Sequence, residues 1–174
     1  MGLNRILNEI EYFFSKTENI YGSVIEEKLV EDSVLIFTDT ISEGYPSTKF
    51  IYSLFGNLRK NILDNSVKET GHPMLNVSTT DSIHYHVKVA LPVDKEMPAT
   101  GNISYKKMMK MGNILVSEVK GGPYIINQAF KQMELYVTDH ERMAPAIPYF
   151  SLVTDRMEEA DSSKWVTRIY YPVM

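Results

Sequence analysis

The chain has 174 residues, no cysteine and a formal net charge of −4, from 18 basic and 22 acidic side chains. This length suits a single domain that buries its core without disulfides or metal. The missing cysteines exclude a disulfide scaffold, a cysteine-ligated zinc or iron–sulfur centre and a thiol nucleophile. The acidic balance argues against nucleic-acid binding by phosphate neutralisation, no apolar run reaches the ~20 residues a membrane span needs, and Met1–Arg5 lacks the pattern of a secretory leader. A cytoplasmic globular protein is therefore expected. Eleven tyrosines and ten methionines suit adaptable apolar pockets as well as ordinary cores.

Leu3, Ile6, Leu7, Ile10 and Phe14 recur at helical spacing and predict an amphipathic N-terminal helix, broken across Asn19–Gly22. Ile25 to Ile41 reads as a strand, centred on the β-favouring run Val34–Phe37. Gly44–Ser47 is a turn with Ser47 or Thr48 as N-cap. The helix that follows carries Phe50, Ile51, Leu54, Phe55, Leu58, Ile62 and Leu63. Gly71-His72-Pro73 ends that segment. Met74–Val77 and Ile83–Val93 predict two strands, and Pro92–Pro98 a connection. Ile103–Met109 and Ile114–Val119 look like a hairpin around Met111-Gly112-Asn113. Gly121-Gly122-Pro123 opens a second helix marked by Ile125, Ala129, Phe130, Met133, Leu135 and Tyr136. After Pro145 and Pro148, Tyr149–Val153 is a strand, Asp155–Ser163 an acidic loop and Trp165–Val173 the last strand.

This order contains an internal duplication. Tyr85–Val93 and Trp165–Val173 match when their Pro-Val pairs are superposed, and Pro73–Val77 parallels Pro148–Leu152 in the same order. The fold class expected is α+β: two pseudo-symmetric β-α-β-β repeats with antiparallel sheets, residues 25–95 and 101–174, behind an N-terminal helix and linker of residues 1–24. Neither repeat alone covers both faces of its sheet, and a cleft along their seam is a favoured place for a small ligand.

The C-terminal stretch Thr154–Val173, with its acidic loop and Trp-containing strand closing in Pro-Val, resembles GyrI-like small-molecule-binding domains, whose fold the SOUL haem-binding proteins share. Gly121-Gly122-Pro123-Tyr124 is similar to the family's Gly-Pro-Tyr ahead of the second helix, and Gly71-x-Pro73 to the turn before the post-helix strand. The resemblance covers residues 25–174 and implies a pocket between the repeats. It also implies occurrence as stand-alone domains or fused to helix-turn-helix or START-like domains. No helix-turn-helix fits into residues 1–24, so this chain is not expected to contact DNA directly. A homodimer or a fused or partner domain is expected instead.

Two departures bear on function. The family pattern Pro-aromatic-Glu-x-Tyr-x-x-Asp-Pro places its acid on Phe150 and its tyrosine on Leu152, and their first-repeat counterparts are Leu75 and Val77. By strand alternation these four share one face. The carboxylate that relatives offer to cations, and that some described as hydrolases use, is absent. Weak binding of lipophilic cations and no hydrolysis by that route follow. The expected ligand-binding residues are Phe37, Tyr52, Phe55, Leu75, Val77, Tyr124, Phe150, Leu152 and Trp165, with Phe130 and Met133 nearby; some of these serve equally as core. The expected function is non-catalytic binding of a small apolar or aromatic ligand as a sensor. The alternatives are a hydrolase using other residues, or a protein-interaction module with a filled pocket. No catalytic residue, cofactor or metal is assigned. His84 and His86 share a strand face and, with Asp81, supply too few ligands for a closed site. Asp155–Asp161 lacks a calcium-loop pattern, and Gly121-Gly122 lacks the residues of a phosphate loop.

Overall fold

The computed structural model of the chain describes residues 3–30, 34–108 and 110–174. In chain order the elements are α1 (Leu3–Phe14), α2 (Thr17–Tyr21), β1 (Glu26–Leu29), β2 (Val34–Glu43), α3 (Thr48–Asp64), β3 (Met74–Thr79), β4 (His84–Val93), β5 (Ser104–Lys107), β6 (Asn113–Lys120), α4 (Pro123–Asp139), β7 (Tyr149–Leu152) and β8 (Val166–Val173), with one 3-10 turn at Ser162–Lys164. The α+β class is as expected. Among the described residues the eight strands form one antiparallel sheet in the order β1-β6-β8-β7-β3-β4-β2-β5.

That order is two-fold symmetric about the β3–β7 seam, where Leu75 lies opposite Phe150 and Met74 opposite Ser151. Leu75 and Phe150 are also the equivalent positions of the two repeats in the sequence match. The pseudo-dyad therefore passes through this pair. α3 packs on β4 and β2, and α4 on β6 and β8, so each repeat covers its own half of one sheet face.

Local chemistry accounts for both helices. Ser47 caps α3, its hydroxyl accepting from the Phe50 N–H at 3.2 Å, and Ile51, Phe55, Leu58 and Ile62 form the buried stripe. Pro123 occupies the first turn of α4, where an N–H has no intrahelical acceptor. The buried stripe of α4 is Ile126, Ala129, Met133 and Val137. Ile125 and Leu135, expected on the apolar face, are exposed. Under α3 the sheet contributes Ile36, Leu75, Val87, Val89, Leu91 and Leu152. Under α4 it contributes Leu115, Val119, Ile169 and Val173.

Three expectations change. The expected strand Ile25–Ile41 is two strands on opposite sides of the sheet, β1 pairing with β6 and β2 with β4 and β5; residues 31–33 between them lie outside the described residues. The expected 103–119 hairpin does not form either. β5 pairs with β2 and β6 with β1 and β8, and Met109 is outside the described residues. Each repeat thus lends a short strand to the other, and the reason is geometric. β1 and β2 are six places apart in the sheet, about 29 Å if it were flat at ~4.8 Å per strand. The five steps from Leu29 to Val34 reach only ~18 Å. The sheet must curl until its ends approach, and the Val30 N–H donates to Gly112 O at 2.8 Å where the two crossing links meet. Third, Asn19 lies in a short helix, α2, ended by Gly22 in the left-handed region at φ 69°. α2 docks Tyr21 against α4, its hydroxyl donating to Asp139 at 3.0 Å.

Candidate functional site

The curl leaves two places where both repeats contribute side chains. The first is the helix-covered face of the seam. Leu75, Val77 and Phe150 lie there together, beside Leu152. Tyr52 and Phe55 of α3 stand over them, with ring centroids 5.6 Å apart and edge to face. Phe130 of α4 meets Phe150 edge to face at 5.6 Å and Tyr171 at 6.0 Å. Phe150 packs against both helix-capped cores, so it joins the two repeats at the pseudo-dyad.

The segment after β7 closes over this seam. The Arg156 main-chain N–H donates to the Tyr52 hydroxyl oxygen at 2.8 Å. Arg156 Nη2 donates to Thr167 Oγ1 at 2.9 Å, and its guanidinium carbon sits 4.7 Å from the centre of the Trp165 ring. Trp165 is fixed in turn by its Nε1–H donating to Glu159 O at 2.8 Å. Tyr45 stacks edge to face on Tyr85 at 5.6 Å beside the same guanidinium. Burial raises the Tyr52 hydroxyl pKa above the ordinary tyrosine range and lowers that of Arg156.

Of the nine residues expected to bind ligand, six meet at this seam: Tyr52, Phe55, Leu75, Val77, Phe150 and Leu152. Trp165 joins them through Arg156. Phe37 does not, because it alternates with Ile36 and so turns to the opposite face, where Lys88 lies 5.3 Å over its ring. Tyr124 is 77% exposed at the start of α4, on the wall of a shallow hollow shared with Ser162 and Ser163. Sequence reasoning missed Arg156, the one basic residue in the segment Asp155–Asp161 read as a solvated acidic loop. The available signal was its position, the residue after Asp155, where the family pattern carries proline.

The second place is the opposite face of the sheet, inside the curl: a cavity of about 1000 Å³. Its seam residues are the alternates of those above, Met74, Tyr149, Ser151 and Tyr170; the ends of β1 and β5 contribute Leu29 and Lys107, and the links after them Val30 and Met108. Tyr149 and Tyr170 stack with centroids 4.9 Å apart and planes 10° from parallel. Burial pushes the Tyr149 hydroxyl pKa upward. Arg168, on this wall, is paired with Glu118 at 2.8 Å.

The two strand histidines each meet a carboxylate of their own. His84 Nδ1 lies 2.8 Å from Asp81 Oδ2, and His86 Nε2 lies 2.6 Å from Asp39 Oδ2. Among the described residues no three of His, Cys, Asp and Glu are grouped to hold a metal ion, and no helix is long and apolar enough to cross a membrane.

No family model matches the chain, and no curated protein matches it by sequence. Solved structures do match. EcmrR in its DNA complex superposes with a TM-score of 0.75 at 16% identity, covering 98% of this chain and 64% of EcmrR, so the chain spans less than two thirds of that protein. A hydrolase from Listeria innocua matches at 0.62 and 11% identity, over 86% of this chain and 91% of its own. SAV2435 bound to tetraphenylphosphonium matches at 0.55 and 12% identity, over 86% and 93%. The chain shares the fold of these structures, the GyrI-like fold that the sequence resemblance implied.

Proposed function

We propose that this chain is a cytoplasmic, non-catalytic small-molecule-binding module, of the kind that senses an effector for a regulator. It holds a small ligand with a largely apolar or aromatic body between its two repeats, on the helix-covered face of the seam. The observation that carries this reading is the set of half-buried aromatic rings from both repeats at the seam: Phe150 packs against both helix-covered cores and meets Phe130, which also meets Tyr171, while Tyr52 packs on the first core and is bridged to Trp165 by Arg156. Aromatic rings supply large apolar area and directional ring contacts to a planar guest. The shared fold with EcmrR and with SAV2435, solved with tetraphenylphosphonium, supports it. Phe150 and Leu152 offer no proton to give or take, which favours binding over hydrolysis.

The test is a thermal-shift screen of neutral aromatic compounds against lipophilic cations such as tetraphenylphosphonium. A ligand at a hundred times its Kd adds about 2.7 kcal/mol, or roughly 5–11 °C for a chain of this size. Neutral aromatics are expected to stabilise the protein and cations not. Stabilisation by cations alone refutes the reading.

A second reading places the ligand in the 1000 Å³ cavity on the other face, favoured by its volume, which suits a drug-sized guest. α1 fits the regulator reading in a further way. Leu3, Ile6, Leu7, Ile10, Phe13 and Phe14 are all exposed, a stripe too apolar to stay in water. A second copy of the same helix covers it in this proposal, making a homodimer.

A further inference from the structure

The seam holds a charge that its apolar floor does not call for. Of the five arginines, Arg5, Arg59, Arg142 and Arg168 pair with Glu9, Glu69, Glu27 and Glu118. Arg156 has no carboxylate partner among the described residues. One of its N–H groups is bonded, to Thr167, whose hydroxyl is fully buried. It also faces the Trp165 ring and feels the Tyr45 and Tyr52 hydroxyls. Carboxylates raise the pKa of Arg59, Arg142 and Arg168, whereas burial lowers that of Arg156. An unpaired cation withdrawn from water is costly. A guanidinium, with five donors in a rigid fork, is shaped to receive an oxyanion through paired bonds.

We propose that the ligand of this seam is an aromatic anion, its ring body on Phe150, Tyr52 and Trp165 and its carboxylate or sulfonate on the Arg156 guanidinium. The site is then inverted in charge relative to one that takes lipophilic cations: the floor lacks a carboxylate at Phe150, and the segment above it brings in a cation at Arg156. The Tyr45 hydroxyl, on a largely exposed side chain beside the guanidinium, is free to donate to the same anion, whereas the Tyr52 hydroxyl is engaged by the Arg156 main-chain N–H and the Asp155 carboxylate. This inference rests on the seam being the ligand site, and the experiment separates the failure of one from the failure of the other.

The probes are 8-anilinonaphthalene-1-sulfonate and N-phenyl-1-naphthylamine, which share a ring skeleton and differ in the sulfonate. Both are titrated by fluorescence into the full chain, with a melting curve for each variant to show that it is folded. The wild type is expected to bind the sulfonate at least about tenfold more tightly, the scale of one hydrogen bond to a charged group. Arg156→Gln is expected to abolish that preference while keeping its affinity for the neutral probe within about threefold, again relative to one weak hydrogen bond. Arg156→Lys, a second variant in case the first does not fold, keeps the charge without the fork and is expected to retain part of the preference. Arg142→Gln, remote and paired with Glu27, is expected to retain all of it. Equal affinity for the two probes, or a preference that survives Arg156→Gln, overturns the charge inference alone. Binding of neither probe overturns the seam as a ligand site, and the charge inference with it.

Discussion

Tyr52→Phe removes one oxygen from the contact that ties the two repeats together over the seam. The hydroxyl accepts the Arg156 main-chain N–H at 2.8 Å, so its loss costs a hydrogen bond and leaves that N–H without its partner. A hydrogen bond contributes about 0.5–1.5 kcal/mol net, and an orphaned buried donor costs about 1–3 kcal/mol. Arg156 is half-buried, so water repairs part of the loss, and we expect about 1–2 kcal/mol. That is a fall in Tm of roughly 2–8 °C at ~2–4 °C per kcal/mol for a chain of this size. The damage is expected to be local as well. In hydrogen–deuterium exchange, amides of the segment 154–160 exchange about five- to thirtyfold faster, on the scale that ~1.4 kcal/mol is tenfold, and the α3 and β4 amides that open only by global unfolding accelerate by no more than that factor. Tyr124→Phe, exposed at the start of α4, is the control and leaves both readings unchanged. An unaltered exchange rate at 154–160 in Tyr52→Phe refutes the idea that this contact holds the segment over the seam.

Other outcomes follow from the same geometry. Phe55→Ala empties a fully buried ring site beneath α3 and is expected to cost about 3–5 kcal/mol, read by urea unfolding. Asp81 is held at about 2, below its ordinary 3.8, first by the Ile83 N–H and then by the His84 side chain and N–H. A depressed acid contributes stability above its unfolded pKa and loses it as pH falls through the folded one. The deficit of Asp81→Asn at pH 5 is therefore expected to fade between about pH 4 and pH 2, followed by chemical unfolding at each pH. Ser151→Trp fills the cavity inside the curl and is expected to leave binding of N-phenyl-1-naphthylamine intact; loss of binding in a folded Ser151→Trp favours the cavity reading. Leu7→Glu, on the exposed stripe of α1, is expected to convert a dimer to a monomer by light scattering.

Much of the fold was legible in the sequence because period-2 alternation and paired Pro-Val endings are local signals. They found β3, β4, β7 and β8 and the repeat that relates them. The strand exchange was not legible. A short apolar segment beside another reads as a hairpin, and nothing local in residues 103–119 says that β5 crosses to β2. Only the length of the two links against the width of the sheet reveals it. Val34–Phe37 is a continuous apolar run, so alternation could not say which face Phe37 takes, and it takes the face away from the helices. Arg156 was hidden by composition, since four acidic neighbours make Asp155–Asp161 read as solvated. One main-chain bond to Tyr52, 104 residues away in sequence, turns that segment inward.

The central claim is the location of the ligand, and a crystal structure of the chain with 8-anilinonaphthalene-1-sulfonate tests it most directly. The account predicts the naphthalene ring between α3 and α4 over Phe150, with the sulfonate within hydrogen-bonding distance of the Arg156 guanidinium. Density for the ring in the cavity beside Tyr149 and Tyr170, with the seam unchanged, contradicts it.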